Sequence, residues 1–320
     1  MNWISDAALA RLRLAAESPD FSATRYRLLD RIGSGGMGVV YLAEDQALGR
    51  RVALKLLDLA DERGDLAARL LREARILARL EHPGIVPVHD AGTLPDGRVF
   101  YAMKYVEGSR LDEYVRGAAS VADRLRIFQK LCEAVAFAHS RGVLHRDLKP
   151  ENVMIGPFGE VLVMDWGVAK ILRDPPAAAP AGTGASGAAD RPGTREAAVI
   201  GTPGYMSPEQ ARGESAGLDE RTDVYSLGMI LRILLGGSGM PAPLAAVCAQ
   251  ATQAEPGARY ASANHLAADV ARFLDGLPLE AYPDTFFRRS VRLFQRNQVV
   301  VWLVVAYLFT RILLILFSRP

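Results

Sequence analysis

The sequence predicts an α+β fold of two lobes, with the strands first and most of the helices after them. The 320 residues are 50% hydrophobic, which is enough material for a two-lobed domain with appendages. The apolar run at 52–54 ends at Lys55 and favours a buried strand in the smaller lobe. Apolar residues at three- and four-residue spacing over 121–140, and a second such stretch over 225–235, predict helices in the larger lobe.

The charge balance and the cysteines narrow the classes of function. A formal net charge of +2 gives no indication of a nucleic-acid partner. Cys132 and Cys248 lie in apolar helical contexts without metal-ligand spacing, so both are expected to be reduced core residues of a cytosolic domain. Of the histidines, three are expected to be packing or surface residues: His89, His139 and His265.

Residues 145–152, with the sequence HRDLKPEN, carry the strongest functional signal. Asp147 can accept the proton of a hydroxyl group, and Lys149 can neutralise charge on a phosphoryl group in transfer. Asn152 can hold a magnesium ion through its amide oxygen. The segment resembles the catalytic loop of eukaryotic-type protein kinases, with His145 as its structural support. The weak alternative is that residues 145–152 form a charged surface loop that matches the motif by chance.

A kinase of this type must hold the phosphates of ATP, and residues 32–40 offer a loop for them. Their pattern is G-x-G-x-x-G-x-V, in which glycines let the backbone approach the phosphates. The members assigned to nucleotide binding are Ile32, Gly33, Gly35, Gly38 and Val40, the last of them expected on the adenine. Taken alone, the pattern is also typical of turns that only join two strands.

Two charged residues further along the chain strengthen the assignment of this loop to ATP binding. Lys55 ends the predicted strand, and Glu73 lies in a helical stretch rich in Leu and Arg. The resemblance implies that Lys55 binds the α and β phosphates and is oriented by an ion pair with Glu73. An ordinary solvated helix charge at Glu73 is the alternative. The 38 basic residues include only five lysines, and two of them, Lys55 and Lys149, fall where a compact ammonium suits a phosphate.

Further motifs follow in the order that the family shows. Asp165 begins Asp-Trp-Gly, where the family usually has Asp-Phe-Gly, and would hold magnesium together with Asn152. Residues 201–209 resemble the end of an activation segment. Three residues are expected to support the site from behind, with the last two forming a buried ion pair: Asp223, Glu209 and Arg259.

The resemblance is to bacterial eukaryotic-type (Hanks-type) serine/threonine protein kinases, and it implies the domain boundaries. The expected divisions are an N-terminal extension at 1–25 and a kinase domain at 26–275, with a small lobe at about 26–103 and a large lobe at about 107–275. The hinge between the lobes would be Lys104, Tyr105 and Val106. The remaining residues expected at the adenine are Ala53, Met103, Tyr105, Val106 and Met154, with Met103 guarding the back pocket.

The resemblance implies transfer of the ATP γ-phosphate to serine and threonine hydroxyls of protein substrates, with Mg2+ as the metal. Lys149 and the Gly-Thr-Pro-Gly-Tyr stretch at 201–205 favour the serine/threonine branch, and dual specificity stays open. A small-molecule kinase is a weaker alternative, because such kinases generally lack the Pro-Glu and Asp-Val-Tyr-Ser-Leu-Gly elements. The alternative from a different class is a nucleotide-binding pseudokinase that acts as a membrane scaffold.

Two segments depart from the family pattern. Residues from about 174 to 197 are dominated by Ala, Gly and Pro, which predicts a disordered insert in the activation segment. Its hydroxyls are the candidate phosphosites Thr183, Ser186 and Thr194. The chain between Asp223 and Arg259 is shorter than the family usually has, and the missing part corresponds to a surface helix that often docks substrates.

The C-terminus predicts a membrane anchor. Residues 299–317 are almost all apolar, and as a helix they would span roughly 28 Å, close to the thickness of a bilayer core. A basic juxtamembrane linker at 276–297 precedes them, with arginines at 288, 289, 292 and 296. Because positive residues stay on the cytoplasmic side, we expect one transmembrane helix at 298–318 in the cell (inner) membrane and a cytoplasmic kinase domain. A buried or interfacial helix is the alternative, and a homodimer for trans-autophosphorylation is left open.

Overall fold

The computed structural model describes most of the chain and has two lobes. The described residues are 19–35, 38–57, 65–117, 119–166, 170–171, 202–214, 217–236, 239–283, 302–303 and 306–311. Within them, strands dominate up to residue 104 and helices dominate after it. The predicted two-lobed α+β fold is therefore confirmed.

The small lobe is a five-stranded antiparallel sheet with one helix packed against it. The strands are β1 (Tyr26–Gly35), β2 (Gly38–Asp45), β3 (Arg50–Leu56), β4 (Val88–Thr93) and β5 (Val99–Lys104), in the order β1-β2-β3-β5-β4. Helix α1 (Asp65–Arg79) lies between β3 and β4 in sequence and packs on β4 and β5. The buried run of β3, from Val52 to Leu56, places this strand at the centre of the sheet with apolar residues on both faces.

The described end of the predicted N-terminal extension packs against this sheet. The Phe21 ring meets the edge of Phe100 at a centroid separation of 5.0 Å and is buried with Tyr26 and Leu54 in one apolar cluster. This cluster lies apart from the apolar core that α1 shares with the large lobe. Residues 19–25 therefore contribute to the packing of the small lobe.

The large lobe is mainly helical. Its helices are α2 (Leu111–Tyr114), α3 (Val121–Ser140), α4 (Pro208–Ala211), α5 (Glu220–Leu234), α6 (Ala242–Ala251) and α7 (Ala263–Leu274). Its short strands are β6 (Ser109–Arg110), β7 (Val143–Leu144), β8 (Val153–Ile155), β9 (Val161–Val163) and β10 (Lys170–Ile171), and 3-10 turns cover Pro150–Asn152 and Pro256–Ala258.

Side-chain caps explain where the two long helices begin. The Ser120 side chain accepts a hydrogen bond from the Asp123 N–H, so α3 starts at the predicted residue. The Asp219 side chain accepts from the Arg221 N–H, which starts α5 five residues before the apolar pattern at 225. Both predicted helices are confirmed, and the Asp219 cap places the start of α5 earlier than the apolar pattern indicates.

Backbone hydrogen bonds join the lobes where β9 meets the turn after α1. Val163 of β9 bonds to the turn after α1 through its own N–H to the Gly84 carbonyl at 2.9 Å and through its carbonyl, which accepts from the Val86 N–H at 3.2 Å. These backbone bonds fix the end of α1 against the strand that leads to Asp165.

The chain leaves the large lobe through a held segment. The Asp269 carboxylate, fully buried on α7, accepts the N–H groups of Glu280 and Ala281 at 2.7 and 2.9 Å. The Tyr260 hydroxyl donates to the same carboxylate at 2.8 Å, and Leu279 is buried. The first part of the predicted linker at 276–297 is therefore packed onto the domain.

Several sequence predictions fall largely outside the described residues. The insert at 174–197 lies wholly outside them, and of the predicted span at 298–318 only 302–303 and 306–311 are described, as helix. Within the described parts of the chain, no helix is both long and apolar enough to cross a bilayer. Helices α5 and α6 are separated by residues 235–241 only, in agreement with the shortened segment that the sequence indicates.

Candidate active site

Asp223 on α5 holds the backbone of the predicted catalytic loop. Its carboxylate accepts the N–H groups of His145 and Arg146 and the ring nitrogen Nε2 of His139, each at 2.8 Å. Burial opposes the charge of Asp223, but these bonds outweigh it and hold its pKa below the ordinary value for aspartate. A completely buried carboxylate thus fixes the loop that carries Asp147.

His139 was missed by the sequence reasoning, which treated it as a packing or surface residue. It lies on the buried face of α3 with Leu131 and Val135, at helical spacing. A titratable side chain on an apolar helix face must find a polar partner, and that position was the available signal. Its ring bonds Asp223, so His139 supports the catalytic loop from behind.

Two site residues have left-handed backbones. Arg146 has φ 70° and Asp165 has φ 59°, in a region that costs roughly 1–3 kcal/mol for residues other than glycine. The Gln210 amide donates to the Arg146 carbonyl at 2.7 Å, and His145 Nε2 lies 3.0 Å from the Met164 carbonyl. The buried Trp166 ring packs against His145 at 4.6 Å between centroids, so the departure from Asp-Phe-Gly keeps an aromatic contact on the loop.

The side chains of Lys149 and Thr202 contact the Asp147 carboxylate. Lys149 donates from Nζ to the Asp147 Oδ2 atom at 2.9 Å and to the Thr202 hydroxyl oxygen at 2.7 Å. The Thr202 hydroxyl donates to Asp147 Oδ1 at 2.8 Å. A lysine, a carboxylate and a threonine hydroxyl therefore meet at one point, which is the chemistry needed to deprotonate a hydroxyl beside a transferring phosphate.

The two predicted metal ligands lie on neighbouring segments. The Asn152 carbonyl accepts from the Met164 N–H at 2.9 Å, which brings Asp165 beside the turn that carries Asn152. The Asn152 amide nitrogen donates to the Asp147 carbonyl at 2.9 Å and thereby leaves the amide oxygen as an acceptor. A carboxylate and an amide oxygen suit Mg2+, which takes few protein ligands and completes its shell with phosphates and water.

Lys55, Glu73 and Asp165 form an ion-pair network that crosses between the lobes. Lys55 Nζ lies 2.9 Å from both Glu73 oxygens and 3.0 Å from Asp165 Oδ1. Burial works against the charge of Lys55, but the two carboxylates outweigh it and raise its pKa. For Asp165 burial works against the charge too, and Lys55 keeps the pKa below the ordinary value. The side chain of Glu73 is fully buried, which excludes the solvated alternative.

Tyr101 on β5 is a further member of this network that the sequence reasoning did not identify. Its hydroxyl donates to Glu73 Oε1 at 2.8 Å. Neighbouring positions in the sequence carry no signal for this contact, because it depends on the register that pairs Tyr101 with Lys55 across β5 and β3.

The glycine-rich segment forms the β1–β2 hairpin, whose residues 36–37 lie outside the described chain. Gly38 has φ 131°, and a Cβ added there would lie 2.1 Å from the Leu56 carbonyl oxygen. Only glycine fits this position, because the backbone of β2 passes close to β3. Gly33 and Val40 are register partners, and Gly35 pairs with Gly38.

The residues predicted at the adenine lie on both lobes. Val40 pairs with Lys55, and Ala53 pairs with Met103 in the central strands. Ile32 is exposed on β1, and half-buried side chains follow at Met103, Tyr105 and Val106 and, on β8 of the large lobe, at Met154.

The predicted ion pair behind the site is bidentate. Arg259 donates from Nη1 and Nη2 to the two oxygens of Glu209, each at 2.7 Å, with both side chains buried. Arg259 also donates to the carbonyls of Arg221 and Ala254 at 2.9 Å. This pair joins α4, at the end of the activation segment, to the turn before α7.

The candidate phosphosites Thr183, Ser186 and Thr194 lie outside the described residues. In the catalytic loop itself, Arg146 is half-buried, and no described residue pairs with its guanidinium. Burial and the neighbouring charge of Arg72 lower the pKa of Arg146, with Asp223 acting in the opposite sense. Two arginines without an acidic partner among the described residues thus lie close together beside the catalytic loop.

Comparison with known proteins identifies the family of this chain. The family model described as protein kinase domain matches residues 26–255. The chain is 37% identical over 303 residues to serine/threonine-protein kinase PknD of Chlamydia caviae, covering 79% of this chain and 32% of that protein. Against PknD of Chlamydia trachomatis serovar L2b, the identity is 43% over 235 residues, covering 66% and 24%. The chain thus spans about a quarter to a third of the length of these curated relatives.

Solved structures show the same fold. The crystal structure of the Mycobacterium tuberculosis PknI kinase domain matches with a TM-score of 0.56 at 27% identity, covering 78% of this chain and 96% of that one. The motif resemblance is therefore confirmed over the described domain, and the chain belongs to the bacterial serine/threonine branch of the protein kinase family.

Proposed function

We propose that this protein is a protein kinase that transfers the γ-phosphate of ATP to serine and threonine hydroxyls of other proteins. The contact that carries the proposal is the Thr202 hydroxyl, which donates to Asp147 at 2.8 Å while Lys149 binds the same oxygen at 2.7 Å. A threonine hydroxyl thus already occupies the position in which Asp147 would take a proton from a substrate.

In the proposed reaction, each charged side chain of the site has one role. The substrate hydroxyl oxygen bonds to the γ-phosphorus, the bond between this phosphorus and the β–γ bridging oxygen breaks, and ADP leaves. Asp147 receives the hydroxyl proton, and Lys149 offsets charge on the phosphoryl group. Lys55, held by Glu73, orients the remaining phosphates. Magnesium, for which Asn152 and Asp165 provide oxygen ligands, would neutralise phosphate charge when bound.

The test is to follow label from the γ and the α position of ATP into a protein substrate. Transfer from the γ position only, recovered as phosphoserine and phosphothreonine, is expected. The alternative function is a nucleotide-binding pseudokinase that acts as a membrane scaffold, and the short α5–α6 connection is the feature in its favour. It would bind nucleotide and transfer no label.

We propose that a phosphate in the activation segment switches the enzyme. Arg146, with whose guanidinium no described residue pairs, lies near Arg72 and supports this, since a phosphate carries close to two negative charges and pairs strongly with arginine. Thr194 is the expected site, because it is nearest the described end of the segment at Thr202. Mass spectrometry of the active enzyme should find phosphate between 174 and 202, and its absence would require another switch.

We propose further that residues 298–318 anchor the protein in the cell membrane, with the kinase domain in the cytoplasm. The described residues of this span are helical, and their large apolar side chains are exposed, among them Trp302 and Phe309. The Thr310 hydroxyl donates to the Ala306 and Tyr307 carbonyls, so its hydrogen bond is met within the helix. Anchored neighbours could phosphorylate one another as a homodimer.

A further inference from the structure

The Tyr101 side chain lies where the sheet, helix α1 and the lysine meet. Its ring is 2% exposed on β5, and Lys55 Nζ lies 5.9 Å from the ring centroid. Its hydroxyl bonds Glu73 Oε1 at 2.8 Å, so this oxygen has a second donor besides Lys55. Burial, with the adjacent carboxylates, holds the pKa of Tyr101 well above its ordinary value, so the phenol stays a donor at physiological pH.

The second donor matters because Lys55 has competing partners. Lys55 already divides its bonds between Glu73 and Asp165, and phosphates of a bound nucleotide would add further anions around it. Leaving a fully buried carboxylate without a hydrogen-bond donor costs free energy. With Lys55 as its one donor, Glu73 would therefore move towards solvent whenever Lys55 turned to another anion. The Tyr101 hydroxyl does not compete for phosphate and remains on Glu73.

We infer that Tyr101 is a positioning residue of the phosphoryl-transfer site, whose hydroxyl holds Glu73, and through it helix α1 and Lys55, in the arrangement that binds ATP phosphates. The inference rests on the proposed function. It also explains why a polar group stands in the buried centre of β5, between Phe100 and Ala102.

The first test compares Tyr101→Phe with a matched control, Tyr26→Phe. Both changes remove a phenol that donates to a carboxylate in the small lobe, since the Tyr26 hydroxyl bonds Asp90 at 2.9 Å. Tyr101→Phe should lower kcat/KM for ATP about 5- to 50-fold and leave the KM for a peptide substrate within about twofold. Tyr26→Phe should leave both values within about twofold.

The second test asks whether the effect passes through Glu73. In a Glu73→Ala background, adding Tyr101→Phe should change kcat/KM for ATP by less than about twofold, because no side-chain acceptor for the phenol is left at position 73. An equal loss in both backgrounds would overturn the inference, and so would an unchanged kcat/KM in the single variant.

Failure of the inference can be told apart from failure of the proposed function. If wild-type protein transfers no phosphate, the proposed function is wrong, and titration with ATP becomes the readout. Tyr101→Phe should then weaken ATP binding about fivefold or more while Tyr26→Phe does not. Equal affinities for the two variants and the wild type would overturn the role of Tyr101.

Discussion

At the scale of single residues, each lysine proposed to bind phosphate is held by a carboxylate. Lys55 is fixed by Glu73 and Lys149 by Asp147. A compact ammonium can serve two anions at once in this way, whereas the planar guanidinium of arginine would prefer one bidentate partner. That accounts for two lysines at the site of a chain in which arginine is the usual cation.

The close packing around Gly38 leads to a prediction about stability when one methyl group is added there. Gly38→Ala should lower the free energy of unfolding by about 2 kcal/mol or more, because the new methyl group meets the Leu56 carbonyl and φ is 131°. Denaturant unfolding measures the change. Gly33→Ala is the control, since its added carbon would make only ordinary contact with Val40 at 3.8 Å. Equal stability of the two variants would show that β2 and β3 are further apart than described.

The sequence identified the residues whose roles depend on local motifs, and it missed those whose roles depend on tertiary contact. Asp147, Lys149 and Asn152 lie within one octapeptide, so their proximity follows from the chain itself. Tyr101 bonds Glu73 across 28 positions of the sequence, and His139 bonds Asp223 across 84. No local pattern marks either one, apart from a polar side chain in an apolar setting.

At the scale of elements, the buried pair of Glu209 and Arg259 holds the short helix α4, which ends the activation segment. Removing the arginine would leave a carboxylate buried without a countercharge. The Arg259 side chain also donates to three carbonyls, those of Arg221, Gln253 and Ala254, so the loss extends to the turn before α7.

Arg259→Met should therefore lower the free energy of unfolding by about 3–5 kcal/mol. Arg212→Met is the control, because Arg212 pairs with Glu214 at 2.6 Å with both side chains about half exposed, and a surface pair contributes less than about 1 kcal/mol. Denaturant titration compares the two variants. Similar losses would contradict a special role for the buried pair.

The same pair predicts a pH dependence. Burial raises the pKa of Glu209, but the bonds from Arg259 outweigh it, so the folded-state pKa lies below the ordinary glutamate value. Its contribution to stability is complete above the ordinary pKa and is lost as pH falls through the folded value. The stability difference between wild type and Arg259→Met should therefore shrink below about pH 4.

Helix positions were predictable from periodicity, and element boundaries were less so. The cap at Asp219 moved the start of α5, and the packing of Phe21 and Leu279 extended the folded region beyond the predicted domain at both ends. Each of these depends on a partner elsewhere in the fold, which a window of sequence does not contain.

At the scale of the whole molecule, the folded kinase domain and the proposed C-terminal anchor occupy separate parts of the chain. No proposed catalytic or metal-binding residue lies beyond Asp165, and the described domain ends at the segment held by Asp269. The two functions should therefore be separable by truncation.

Deleting everything after Arg296 should give a soluble enzyme with unchanged peptide phosphorylation. Full-length protein should resist carbonate extraction, since roughly nineteen apolar residues suffice to span a bilayer. A reporter fused after Pro320 should be exposed outside the cytoplasm. Release by carbonate would indicate an interfacial helix, and a cytoplasmic reporter on carbonate-resistant protein would indicate a re-entrant segment.

The most direct test of the central claim measures ATP affinity and phosphate transfer together in wild type and Asp147→Asn. The asparagine keeps the shape of the side chain but cannot take the hydroxyl proton. If Asp147 takes the hydroxyl proton, the two proteins should have equal ATP affinity, and the variant should lose turnover by about 100- to 10,000-fold. Near-normal phosphorylation of a peptide by Asp147→Asn, or equally absent transfer in both proteins, would contradict it.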